Sequence, residues 1–188
     1  MANWAYVNYV VRDSQENLKK IYNAINTALS EGNDDWEGNV LMLLGMSKED
    51  VDKYSLRGSI NYLDEVDFDT DNVESFSFSA EEAWSTTELS DALCNLFPEI
   101  EVFWYCEEPG MEIYETNDSG GEYFPAKYII EEICNDWPED YHYPESEKEL
   151  FKLLFELSDE EITDWKSLEE YNEKHKDKYF NIHEIIVV

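Results

Sequence analysis

The stretch VESFSFSAEEAWSTTELSDALCNLFPEIEVFWYCEEPG, residues 73–110, decides how the rest of the chain is read. Residues 73–80 alternate polar and apolar, the period of a half-buried strand. Ser85-Thr86-Thr87-Glu88 has the spacing of a capping box, with the serine accepting from the helix and Glu88 reaching back. Leu89, Ala92, Leu93, Leu96 and Phe97 then fall on one helical stripe, and Pro98 ends it. Residues 100–106 are aromatic and β-branched, and Glu107-Glu108-Pro109-Gly110 turns the chain. Strand, helix and strand in this order predict a sheet with a helix packed on it.

Working towards the N-terminus, residues 5–11 form a first strand that is apolar on both faces. Asp13-Ser14-Gln15-Glu16 opens a helix with a carboxylate cap, Leu18, Ile21, Tyr22, Ile25 and Leu29 line its buried stripe, and Gly32 sits at its end. Residues 39–45 read as a buried helical turn, Ser47 begins another, and residues 58–63 read as a second strand. An acidic connection, residues 64–72, leads into the central stretch.

Towards the C-terminus, residues 111–114 and 123–130 predict two strands joined by Asn117-Asp118-Ser119-Gly120-Gly121, a hairpin turn by its chemistry. Pro125 makes the second of them an edge strand or a bulged one. Serines 146, 158 and 167, each followed by a glutamate two or three residues on, predict three short helices. Residues 179–188 end as a strand. The expectation is one α+β domain over residues 1–188. It has a core at 1–128 with an insert at 31–56 and an added hairpin at 111–128, then a mainly helical extension at 129–188 ending in the strand.

Composition narrows function by exclusion. The chain has 188 residues, 45 Asp and Glu against 13 Lys and Arg, a formal net charge of −32, and 15% aromatic residues. That aromatic content argues for a folded core in spite of the charge. The field repels nucleic acid and anionic membranes and attracts cations and basic proteins. Cys94, Cys106 and Cys134 are odd in number and lack CxxC spacing, so free thiols in a reducing cytoplasm are expected. There is no signal-peptide pattern and no apolar run of membrane-spanning length.

The chain resembles the YubB-like ferredoxin-fold proteins, plasmid- and phage-associated and largely of unknown function. The resemblance rests on Asn3-Trp4 before the first strand, on residues 41–46 with Ser47-Lys48-Glu49, and on Phe76-x-Phe78 ahead of Ala83-Trp84-Ser85. Leu89, Leu93, Phe97-Pro98-Glu99 and Glu108-Pro109-Gly110 complete it. Arg57-Gly58-Ser59-Ile60 stands where the family carries a tryptophan motif, and the tail after Tyr143 has no counterpart. The resemblance implies a ferredoxin-like βαβ-βαβ core, an antiparallel sheet with two helices on one face. It implies no catalytic residues.

No stretch carries a catalytic signature. His142, His175 and His183 lie far apart, so no metal and no cofactor is expected. Residues 67–78 begin like a calcium loop, but Asn72 and Phe78 stand where an EF-hand needs Gly and Glu. Trp84 reads as a hydrophobic-staple partner of Leu89. The sharpest feature is electrostatic. Between Arg57 and Lys127 there is no basic residue and there are eighteen acids. Glu74, Glu88, Asp91, Glu101 and Glu107 are the candidate binding residues of an acidic face. The reading is a non-enzymatic, cytoplasmic binding protein for a basic, nucleic-acid-binding partner, with no direct nucleic-acid or membrane binding. The alternative is a small-molecule or cation pocket around Trp104, Tyr123, Trp137 and Tyr141.

Overall fold

The computed structural model describes residues 3–30, 34–70, 72–84, 87–135 and 140–188. Gly32, Ser85, Thr86, Asp71, Trp137 and Pro138 lie outside them. The protein is α+β and divides into two compact units, Met1–Asp118 and Ser119–Val188. The break falls inside the stretch expected to form a hairpin. Among the described residues no helix is long and apolar enough to cross a membrane.

The first unit begins with β1 (Trp4–Arg12), α1 (Gln15–Ala28), α2 (Glu37–Leu43), α3 (Lys48–Val51) and β2 (Gly58–Leu63). It continues with β3 (Ser75–Ala83), α4 (Glu88–Leu96), β4 (Glu101–Glu108) and β5 (Ile113–Thr116). Its strands lie in the order β2-β3-β1-β4-β5. β1 is antiparallel to both β3 and β4, β2 to β3, and β5 to β4. The alternation of β1 turns Ala5, Val7, Tyr9 and Val11 to one face. They join Phe76, Phe78, Ala80, Val102, Trp104 and Cys106 and the apolar stripes of α1 and α4 in one core. All four helices contribute to that core, so they cover the same face of the sheet.

Local chemistry starts and stops these elements. Ser14 caps α1 by accepting from Asn17 N, where a carboxylate cap from Asp13 was expected. Ser47 caps α3 through Asp50 N. A single 3-10 turn, Pro109–Met111, follows β4. Asn117 then replaces a strand partner: its Oδ1 accepts from Trp104 N at 2.7 Å and its Nδ2 donates to Val102 O at 2.8 Å. The turn chemistry at 117–121 therefore fastens β5 back onto β4 and does not lead into a hairpin.

The second unit contains β6 (Tyr128–Cys134), β7 (Asp140–His142), α5 (Glu147–Ser158), α6 (Trp165–Lys174), β8 (Lys178–Glu184) and β9 (Ile186–Val187). A three-stranded antiparallel sheet, β7-β6-β8, packs Ile130 and Phe180 against Leu150, Leu154, Leu168 and Tyr171. The expected helical extension is thus an α+β unit of its own. Among the described residues two helices stand where three were expected: Asp159 takes a left-handed φ of 56° and ends α5. Asp164 caps α6, leaving Ser167 at its third position.

Candidate functional site

Two adjacent glutamates on β3 mark two different environments. Glu82 continues the inward phase of Phe76, Phe78 and Ala80 and is 1% exposed. Glu81 points the other way and is exposed.

On the inner side, the Tyr9 hydroxyl donates to Glu82 Oε1, and the Tyr9 ring stacks on Phe78 with centroids 4.9 Å apart. Glu37, at the first position of α2, is fully buried against Glu82. Its Oε2 accepts from Gly58 N at 3.2 Å, and its carboxyl meets that of Glu82. Burial, and then the neighbouring Glu82 charge, push Glu37 up to about 9. Two carboxyls so placed hold one proton between them at neutral pH. Tyr9 is raised well above its ordinary value, first by burial and then by the two glutamates. Burial followed by Glu82 pushes the Cys106 thiol up to about 12, so it is no nucleophile at neutral pH.

The cluster exists because the main chain at Gly58 comes very close. A β-carbon there would lie 2.6 Å from Glu82 Cγ and 2.7 Å from both Glu37 Oε1 and the Glu81 carbonyl. Trp36 Nε1 donates to Leu56 O and Ile60 N donates to Asp35 O, which fastens the start of α2 to β2. The diacid is sealed from solvent, so its chemistry is to hold α2 on the sheet.

The outer side of the same sheet is chemically different. Tyr6 on β1 stands directly opposite Glu81 on β3 and Glu107 on β4. Direct cross-strand neighbours on one face have β-carbons about 5 Å apart. Tyr6 is 51% exposed and Trp4, on the same face of the same strand, is 54% exposed. Among the described residues no Lys, Arg or His pairs with Glu81 or Glu107. Their hydrogen bonds come from neutral groups: Asn61 Nδ2 donates to Glu81 at 3.4 Å and the Tyr105 hydroxyl donates to Glu107 at 2.5 Å. At the same corner, Trp84 N donates to Asn3 O, and the Arg57 guanidinium lies 4.7 Å from the centre of the exposed Trp84 ring. Trp84 has a φ of 66° and faces solvent, so it is no staple for Leu89, which is buried in the core.

The five expected acidic residues are divided by the sheet. Glu101 and Glu107 lie on the outer side, and Arg12 pairs with Glu101 at 2.7 Å. Glu88 and Asp91 ride on α4, on the helix-covered side, where Glu88 accepts from Ser55 N. Glu74 is exposed just before β3. These residues form a field around the unit and not one face. Of the expected aromatic pocket, Trp104 is in the first unit's core, Tyr123 and Tyr141 belong to the second unit, and Trp137 is outside the described residues. Among the described residues no group of three or more His, Cys, Asp or Glu side chains is placed to hold a metal ion.

Sequence reasoning missed Glu37, Tyr9, Gly58 and Glu82. A signal was present: Glu37 occupies the apolar stripe of Val40, Leu41 and Leu44, and Glu82 occupies the inward phase of β3. Comparison with protein families, curated proteins and solved structures finds no match to this chain.

Proposed function

We propose that this is a non-enzymatic binding protein whose acidic first unit captures a basic, nucleic-acid-binding protein in competition with DNA or RNA. One observation carries the reading. The base-free interval between Arg57 and Lys127 builds β3, α4, β4 and β5, which are rigid elements of the first unit. Carboxylates held on strands and a helix keep fixed spacings, as phosphates on a duplex do, and their summed field steers cationic partners from a distance. The division of the five expected acids between two sides makes the attraction a property of the whole unit.

The fold belongs to the same proposal. The strand order β2-β3-β1-β4, antiparallel throughout, with α1 after β1 and α4 after β3, supports a ferredoxin-like split βαβ core in the first unit. It is also what the resemblance to the YubB-like proteins implies, with β5 as an addition to the edge.

The test is capture of basic proteins from a cell extract at low and at high salt, followed by competition with duplex DNA. Capture should fall steeply as salt rises, because screening shortens the field to about 8 Å at physiological ionic strength. Captured proteins should be released by DNA. Capture indifferent to salt, or not displaced by DNA, rejects the proposal.

A further inference from the structure

Resting on that reading, we infer that the outer end of the first unit's sheet, centred on Tyr6 between Glu81 and Glu107, is a seat for the side chains of an arginine-rich segment. Four observations place it there. The ring of Tyr6 is half exposed and has a carboxylate on each neighbouring strand, directly across the ladder. Neither carboxylate is matched by a cation among the described residues. Trp4 extends the aromatic surface along the same strand face, and Tyr62, 58% exposed on β2 and paired with Ser79, extends it across the sheet. At the adjoining corner the chain's own Arg57 already lies over an exposed indole.

The occupant follows from this chemistry. A cation over an aromatic face is attracted by the ring's quadrupole, and flanking carboxylates add charge and hydrogen-bond acceptors. Guanidinium suits both: it is planar, stacks on rings and offers donors in a fork matched to a carboxylate. An ammonium is a more strongly hydrated point charge and gains less from stacking. Nucleic acid would meet the same aromatic rings but is repelled by Glu81 and Glu107. The exposed Trp4, Tyr6 and Tyr62 give this face rings to stack on as well as a field.

The experiment uses the full chain and a fluorescein-labelled deca-arginine peptide, with binding read by fluorescence anisotropy at low salt. The variants are Tyr6→Leu, Tyr6→Phe, the pair Glu81→Gln with Glu107→Gln, and a charge-matched control pair, Glu49→Gln on α3 with Asp52→Asn at its C-terminal cap. Circular dichroism melts confirm that each variant is folded. Tyr6→Leu should weaken binding about tenfold, Tyr6→Phe should bind like the parent, and the outer pair should weaken binding several-fold more than the control pair. If the parent binds but Tyr6→Leu binds equally well, or if the two acid pairs weaken binding alike, the seat is rejected and the general acidic reading stands. If deca-arginine does not bind the parent at all, both fall.

Discussion

Each unit has a strand with two consecutive glutamates, and the two strands treat them in opposite ways. On β6 of the second unit, Glu132 meets Lys178 Nζ at 2.8 Å and His142 Nε2 at 3.7 Å. Glu131 on the other face accepts from Asn181 Nδ2 at 2.8 Å, with His183 Nε2 at 3.5 Å. On β3 of the first unit, Glu82 shares its burial with another acid and a tyrosine, and Glu81 stands in solvent beside an aromatic ring. The pleat separates neighbouring side chains identically in both strands. The difference lies in what the facing strands supply. β8 brings a lysine and a histidine to β6, whereas β1 and β2 bring no lysine or histidine to β3. The second unit surrounds its paired acids with side-chain partners, and the first buries one beside another acid and exposes the other.

Gly58→Ala should break the first arrangement with the largest effect. The added methyl group meets Glu82, Glu37 and a carbonyl at once, and overpacking of this kind costs about 3 kcal/mol. Denaturant unfolding should show the loss, and a variant as stable as the parent would mean that the close approach at β2 is not rigid.

Glu37→Gln should act next, through pH. The folded value of Glu37 is raised from 4.5 to about 9, so folding takes up a proton between those limits. Its contribution to stability is therefore full below about pH 4.5 and is lost progressively as pH climbs towards 9. One such proton corresponds to a slope of about 1.4 kcal/mol per pH unit. Glu37→Gln removes the slope and leaves the variant more stable than the parent at pH 8. Melting curves at several pH values measure both, and an unchanged slope would show that the proton resides elsewhere.

In the second unit, Lys178→Met removes the cation from Glu132 and a donor from Leu157 O. Lys178 is partly exposed, so solvent screening limits the expected loss to about 1 kcal/mol. High salt should shrink the difference. Glu81→Gln in the first unit is the smallest change, within about 0.5 kcal/mol, because its carboxylate is exposed. A large loss there would erase the distinction between Glu81 and Glu82.

The parts of this picture that periodicity controls were legible in the chain. β1, β2, β3, α1 and β4 fall within a few residues of where alternation and helical stripes put them. The start of a short helix at Ser47 was legible as well, and the amide its side chain accepts from lies only three residues on. Pairing over longer distances was not legible. The residues at 117–121 marked a reversal, but only the side chain of Asn117, bonded to Val102 and Trp104, decides that β5 returns to β4. Likewise, the phase of Glu82 was visible while its burial was not, since that depends on Tyr9 and on an α2 residue forty-five positions away. Composition labelled it solvent-facing, and the acidic face was drawn from the same assumption. The sheet divides those acids because a helix and the outer side of the strand it covers look in opposite directions.

Trp84 extends this contrast into selection. A residue other than glycine held at a φ of 66° costs about 1 kcal/mol relative to glycine. Its ring recovers little of that by burial, being 52% exposed, and among the described residues it lies against Arg57. Stability alone therefore favours Trp84→Gly. Random mutagenesis screened only for thermal resistance should enrich that substitution, and a screen for capture of arginine-rich peptides should discard it. Position 84 would then separate what the fold needs from what the surface is for.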